Sequence, residues 1–389
     1  MNNFVYDIPT KVYFGEGQLD HLGEELSRFG KKVMMVYGGG SIKRSGLYDR
    51  IKAETDKAGL TIIDFPGIDP NPRITSVNKG AAICKREHID VLLAVGGGST
   101  IDATKFIGAG TFYDGDAWDF FTGKAEVSGC LPIVTVLTLS ATGSEMDNGG
   151  VISNMETNDK IGHSSPYMLP RVSFLDPTNT YSVSPYQTAC GSADILSHIF
   201  EVYFSPDKDL FMLDRVMEGL IKTVIKFAPI AMKEPDNYEA RANLMWTSSW
   251  AINGFLDGGK TQGWSCHPME HQISAFYDIT HGLGLAILTP RWMKYTLDET
   301  TAEKYKEFAC GVFDVDKALP AMEAAELGIA KLSEFLFGPI GLDDSLSKLK
   351  IDDAHFADMA KKACGRGGVI RGFKPLTPAD VEKIYRMSL

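Results

Sequence analysis

None of the six cysteines (Cys84, Cys130, Cys190, Cys266, Cys310, Cys364) stands in a C-x-x-C pair. Their scatter excludes a thiol-zinc ribbon and suits free thiols in a reduced, cytoplasmic compartment. Long apolar runs are missing as well, since none approaches the ~18–20 residues that span a bilayer. The opening Met1-Asn2-Asn3-Phe4-Val5-Tyr6-Asp7 lacks a charged leader followed by an apolar core, so it does not read as a signal peptide. Basic charge is in deficit: 39 Lys and Arg against 50 Asp and Glu leave a net charge of −11. That balance argues against nucleic acid or an anionic membrane as partner. The standard nucleotide fingerprints, G-x-G-x-x-G and the Walker lysine, are absent. Histidine is scarce, yet four of the eight fall between positions 198 and 281.

A chain of 389 residues is too long for one compact core, so two domains are expected. Residues 1–184 alternate short apolar runs with helical patterns, as a parallel sheet with crossover helices does. Val33–Tyr37 ends in Gly38-Gly39-Gly40-Ser41, Thr61–Phe65 in Asp69-Pro70-Asn71-Pro72, and Val91–Val95 in Gly96-Gly97-Gly98-Ser99. Ile133–Thr138 runs into Leu139-Ser140-Ala141-Thr142-Gly143-Ser144-Glu145. Runs that are apolar on both faces suit strands covered on both sides. From residue 185 to 389 helical windows dominate: Tyr238–Phe255, one or two helices within Ala302–Phe337, and a last helix with Thr377 as N-cap and Pro378 in its first turn.

Two glycine triplets at the ends of separate strands point to a phosphate cradle, because ligands of open α/β sheets collect at the carboxyl ends of strands. Missing Cβ atoms admit a phosphate to the backbone, and a helix N-terminus stabilises it. Gly38, Gly39 and Ser41 on one turn, and Gly97, Gly98, Ser99 and Asp102 on the other, are the candidates, with Ser99 the expected N-cap. Gly15-Glu16-Gly17 is expected to be a hairpin turn. An acid at the end of the first strand would bind a ribose 2′-hydroxyl and repel a 2′-phosphate. Gly39 holds that place, with Lys43 and Arg44 close behind, which favours NADPH, NADH being the alternative.

Asp194 and His198 lie four apart, as do His267 and His271, so each pair shares a helix face. The two pairs together could form a four-ligand metal site. His267-Pro268-Met269-Glu270-His271 also matches the inverted zinc-peptidase motif H-x-x-E-H, with Glu270 as general base. A peptidase, however, has no use for phosphate cradles.

The Gly96–Ser99 turn with Asp102, the Leu139–Glu145 segment, Asp194-x-x-x-His198, and His267-x-x-x-His271-x9-His281-Gly282-x-Gly284-Leu285-Ala286 resemble the iron-containing (group III) alcohol dehydrogenases. The resemblance runs end to end, from Pro9-Thr10-Lys11-Val12-Tyr13-Phe14-Gly15. Within the family it is nearest to butanol dehydrogenases and NADPH-dependent broad-range aldehyde reductases. It implies an N-terminal α/β dinucleotide-binding domain and a C-terminal all-helical metal domain of dehydroquinate-synthase-like fold, with cofactor and metal meeting in the cleft. It further implies Asp194, His198, His267 and His281 as metal ligands and leaves His271 on the substrate side as the catalytic candidate. Asn71, Thr138, Thr142 and Lys160 fall where relatives contact the dinucleotide. Gly282 and Gly284 are expected to let backbone approach cofactor or metal. Fe(II) or Zn(II) would polarise a short-chain aldehyde for hydride transfer, in a homodimer or larger homo-oligomer. The rivals are a polyol dehydrogenase or lyase of the same fold, a zinc hydrolase, and a non-catalytic metal-binding protein.

Overall fold

The computed structural model describes residues 1–261 and 263–389. In chain order the elements begin β1 (Lys11–Phe14), α1 (Leu22–Ser27), β2 (Lys32–Tyr37), α2 (Ser41–Arg44), α3 (Leu47–Lys57), β3 (Thr61–Phe65), α4 (Ile74–Glu87), β4 (Val91–Gly96) and α5 (Gly98–Gly110). There follow α6 (Trp118–Thr122), β5 (Ile133–Leu137), β6 (Gly149–Asn154), β7 (Asp159–Ser164) and β8 (Val172–Leu175). The remainder is helical: α7 (Pro185–Tyr203), α8 (Phe211–Lys233), α9 (Tyr238–Trp250), α10 (Cys266–Tyr277), α11 (His281–Thr296), α12 (Ala302–Phe313), α13 (Ala321–Phe337), α14 (Phe356–Ala363) and α15 (Pro378–Met387). No helix among the described residues is long and apolar enough to cross a membrane.

Two compact units emerge. One comprises Asp7–Val183 with Pro235–Asn253; the other comprises Met1–Tyr6, Ser184–Glu234 and Gly254–Leu389. Against the expected 1–184 and 185–389, two segments change sides. The helix α9 belongs with the sheet because Met245 packs with Ala94, Leu137 and Leu175, and Ser249 Oγ donates to Glu145 at 2.5 Å. Hydrophobic periodicity finds such a helix but does not say which body covers its apolar face.

The α/β unit holds a six-stranded parallel sheet in the order β1-β8-β5-β4-β2-β3. Alternate side chains enter two cores. Met34, Val36 and Leu92 join Val77, Phe106 and Ile107 from α4 and α5, whereas Val33, Met35 and Leu93 join Leu22, Leu26 and Ile51 from α1 and α3. Covering both faces explains why the strands are apolar throughout. The chain leaves β2 towards β3 on one side and returns to β4 on the other. The carboxyl ends of β2 and β4 are therefore a topological switch point, and both glycine triplets emerge there on neighbouring strands, about 5 Å apart.

β1 and β8 pair in parallel at one edge, and the antiparallel hairpin β6–β7 stands outside the main sheet. Gly15-Glu16-Gly17 is not a hairpin turn, since β1 pairs in parallel with β8 and leads into a 3-10 turn at Gln18–His21.

In the helical unit α7 is buried over nearly its whole length. Its start is fixed by Ser184, whose hydroxyl accepts from Gln187 N at 3.2 Å, and by Pro185 in the first turn. The expected close of the chain is present: Thr377 and Asp380 form a capping box on α15.

Candidate metal centre and dinucleotide cradle

Positions 194, 198 and 201 follow one another at four and three residues along α7, so Asp194, His198 and Glu201 project from one face. The helix α10 supplies His267, Glu270 and His271, and α11 begins on His281. Oδ1 of Asp194 lies 3.7 Å from Nε2 of each of three histidines, His198, His267 and His281. Those separations are too long for hydrogen bonds. They suit ligand atoms sharing one ion, since tetrahedral bonds of ~2.1 Å place neighbouring ligand atoms about 3.4 Å apart. Asp194 Oδ1 and His267 Nε2 are buried and have no hydrogen-bond partner among the described residues. Buried polar atoms are almost always satisfied, and a divalent cation would satisfy both. The ligand atoms of Asp194, His267 and His281 lie within 4.8 Å of one another, while His198 closes on Asp194 from its own helix and stacks on His267 with ring centroids 4.6 Å apart.

Charge follows the same geometry. Burial works against ionising Asp194, but His198, His267 and His281 outweigh it and hold the carboxyl below its usual range. Burial brings His198 down to about 4, leaving it a neutral donor. Burial also disfavours a charged His267, yet Glu201 and Asp194 raise it to about 9. In the metal-free protein a proton on His267 therefore occupies the place a cation would take.

The H-x-x-E-H reading fails on Glu270. Its side chain is fully buried and bonds to His281 Nδ1 and Ser274 Oγ, so it does not stand free as a general base for water. His271 is half-buried, its ring 5.6 Å from that of His281 and 6.0 Å from that of His267. The glycines beside His281 answer to helix packing. A Cβ on Gly282 would fall 2.0 Å from the carbonyl oxygen of Cys190, and one on Gly284 would fall 2.8 Å from Cγ of Glu270. Glu201 went unremarked in the sequence, although its place three residues after His198 was the available signal.

In the α/β unit the Gly38–Gly40 turn passes directly into α2, with Gly39 and Ser41 exposed. The second triplet differs from expectation: α5 starts at Gly98 with Gly97 as N-cap, and Ser99 lies inside the first turn without a capping bond. The strand runs so directly into the helix that the cap falls two residues early. Gly98 is packed closely, because a Cβ there would lie 2.3 Å from the side chain of Thr142 and displace it. Thr138 N donates to Gly96 O at 3.1 Å, which ties the end of β5 to the end of β4.

Asp102 is drawn inward and acts first as an anchor. It accepts from Ser144 Oγ at 2.6 Å and Val151 N at 2.8 Å, and burial pushes its carboxyl up to about 6. Lys105, fully buried, joins Ser144, Asp147 and the carbonyl of Gly149. This network, which sequence reasoning missed, fastens the hairpin β6–β7 to α5. The hairpin in turn brings Lys160 opposite Ser153, and Ser153 N donates to Pro72 O at 2.8 Å. Lys160 and Asn71, 89 positions apart along the chain, thus reach one side of the hairpin, Asn71 in a left-handed conformation at φ 53°.

A parallel sheet with glycine turns at its switch point, together with a buried carboxylate–imidazole cage, defines a metal-dependent dehydrogenase of the dinucleotide-binding class. The chain belongs to the iron-containing alcohol dehydrogenase family: residues 9–177 match its iron-containing alcohol dehydrogenase model and residues 188–389 the model of its C-terminal region. It is 48% identical over 389 residues to NADH-dependent butanol dehydrogenase A of Clostridium acetobutylicum, covering 100% of both chains. It is 35% identical to the NADPH-dependent aldehyde reductase YqhD of Escherichia coli, over 93% of each. The crystal structure of NADH-dependent butanol dehydrogenase A from Thermotoga maritima superposes with a TM-score of 0.95 at 36% identity, covering 100% of this chain and 99% of that one.

Proposed function

We propose that the protein reduces short-chain aldehydes such as butanal, reversibly, with Asp194, His198, His267 and His281 holding a divalent metal. Its class, an NAD(P)H-dependent alcohol dehydrogenase or aldehyde reductase, follows from the family and its full-length relatives. The observation that carries the residue assignment is Asp194 Oδ1 at 3.7 Å from three imidazole nitrogens. When bound, Fe(II) or Zn(II) would supply Lewis acidity to the aldehyde oxygen and the nicotinamide would supply hydride. Asp194 contributes the negative charge that retains the ion, and the imidazoles, neutral once loaded, contribute lone pairs. Main-chain N–H groups at Gly39–Ser41 and Gly97–Ser99 bind the dinucleotide phosphates, with Thr138, Thr142, Asn71 and Lys160 beside them. His271, next to His281 but outside the cage, passes the proton to the product.

NADPH is the preferred cofactor in this reading. Gly39 faces open space, with no atom within 4 Å of a built Cβ, and Lys43 Nζ is held 4.7 Å from the Tyr48 ring centroid. Relatives are named for both cofactors, the NADH-dependent ones being nearer in identity, so the open Gly39 position carries the preference. The free thiols support a cytoplasmic location, and resemblance to the family supports a homodimer or larger homo-oligomer. An aldehyde panel run with NADPH and NADH, beside metal analysis of His281→Ala, tests the whole. Loss of metal and activity together supports it; a His281→Ala protein that keeps its metal overturns the ligand set.

A further inference from the structure

We propose that Glu201 and Glu270 are positioning residues that set the metal affinity of the site through His267 and His281, and that His198, lacking such a partner, is the weakest imidazole ligand. The inference rests on the metal-site reading above. Each carboxylate takes the nitrogen of its histidine that faces away from Asp194. Glu201 Oε1 lies 2.7 Å from His267 Nδ1, and Glu270 Oε2 bonds to His281 Nδ1. A carboxylate at Nδ1 keeps the proton there, so the lone pair sits on Nε2, the atom turned to Asp194, and its charge strengthens that donor.

Both carboxylates are buried with further partners in α10. Glu201 also accepts from Ser265 N at 2.5 Å and His267 N at 2.8 Å. It thereby caps α10, whose own N-cap residue Ser265 makes no side-chain capping bond. One anion of α7 thus fixes both the first turn of α10 and the ring that turn carries. Glu270 has room only because position 284 lacks a Cβ. Burying a carboxylate is costly without a compensating charge. Asp194, Glu201 and Glu270 place three around the histidines, an excess a divalent cation offsets.

His198 differs. Among the described residues its buried Nδ1 has no hydrogen-bond partner, and its ring is held by stacking on His267 and by the edge of Trp264 at 5.9 Å. Among the described residues no carboxylate at Nδ1 fixes its tautomer.

Metal-free full-length protein titrated with Co(II) against a chromophoric chelator, without dinucleotide or aldehyde, tests this. Glu270→Gln keeps an acceptor for His281 but removes the charge, and should weaken Co(II) binding about tenfold; Glu270→Ala should weaken it toward 100-fold. The visible Co(II) bands of Glu270→Gln should shift, which a purely structural role would not produce. Glu201→Gln should do the same, with thermal melting of the metal-free variant reporting the lost cap separately. His198→Ala should lose less affinity than His267→Ala or His281→Ala. Wild-type affinity and bands in both Glu270 variants overturn the proposal, as does a His198→Ala loss equal to that of His267→Ala. Asp194→Ala separates the two levels: if it still binds Co(II), the metal-site reading itself fails, whereas metal loss there with unaffected Glu270 variants sinks only the positioning role.

Discussion

In the α/β unit the groups offered to a ligand are main-chain N–H groups at strand ends, whereas in the helical unit they are side chains on buried helix faces. The first kind of site depends on atoms being absent: a Cβ at Gly98 would occupy the space of Thr142. The second depends on atoms being held, and each holding group is itself a buried charge with its own partner to find. Both units use buried ion networks as scaffolding. Around Lys105 the network joins a hairpin to a helix, while Glu201 and Glu270 orient rings. One ties a hairpin to a helix, the other fixes the rings of the proposed metal ligands.

Removing the Lys105 ammonium should have the largest effect and should be confined to stability. Lys105→Met leaves the part-buried Asp147 beside Ser144 and Gly149 without its cation. Breaking a buried pair on one side costs about 3–5 kcal/mol, to be read as a lowered unfolding midpoint in the metal-loaded protein. Full retention of bound metal at low temperature would keep the contrast between the units; metal loss would break it. Gly98→Val comes next. The new side chain must displace Thr142, at a cost of about 1–3 kcal/mol of stability, and the displaced turn should weaken dinucleotide binding. Titration with NADPH should show that loss while Co(II) affinity stays at the wild-type value.

These contrasts also explain what was legible in the sequence. Strands β2, β4 and β5 were readable because they are apolar on both faces and end in glycine or Thr-Leu-Ser turns, and the triplets marked the switch point before any topology was known. The strands β1 and β8 were not, since four-residue runs such as Val172-Ser173-Phe174-Leu175 carry too little period to stand out. The helical pairs Asp194/His198 and His267/His271 were visible by spacing, but spacing would have grouped a different four from the proposed set. The geometry brings His281, eleven positions after Glu270, to 3.7 Å from Asp194 Oδ1, while His271 lies beside His281 and Glu270. Resemblance to the family supplied that set; periodicity could not, because a ligand at the first residue of the next helix has no fixed phase relative to the last. Glu201 and Lys105 lay beyond reach for a related reason: an ion partner 66 or 42 residues away leaves no local pattern.

Glu145 gives a smaller effect with a definite sign. Burial pushes its carboxyl up to about 7, partly offset by the Ser249 hydroxyl, against an ordinary 4.5. The folded state therefore holds this proton more tightly than the unfolded chain does. Its contribution is complete below about pH 4.5, declines as pH rises, and is gone above about 7. Glu145→Gln mimics the protonated form, so thermal melts across that window should lose less stability than the wild type, by an amount on the order of 2 kcal/mol. Parallel curves for the two proteins would show that Glu145 stays ionised.

The smallest change bears on the backbone-built site alone. At Gly39 the end of β2 offers space without charge, and Lys43 and Arg44 follow within the first turn of α2. Gly39→Asp would place a carboxylate where a ribose 2′-hydroxyl could donate to it and a 2′-phosphate would be repelled. The ratio of kcat/KM for NADPH over NADH should fall about tenfold, equivalent to ~1.4 kcal/mol, mostly through a higher KM for NADPH. Lys43→Ala should lower the same ratio from the other direction, by removing attraction for the phosphate while leaving NADH turnover intact. An unchanged ratio in both variants would mean that the dinucleotide enters the cradle without passing its ribose over Gly39, and the cofactor preference would then have to be sought at the third strand end, around Asn71.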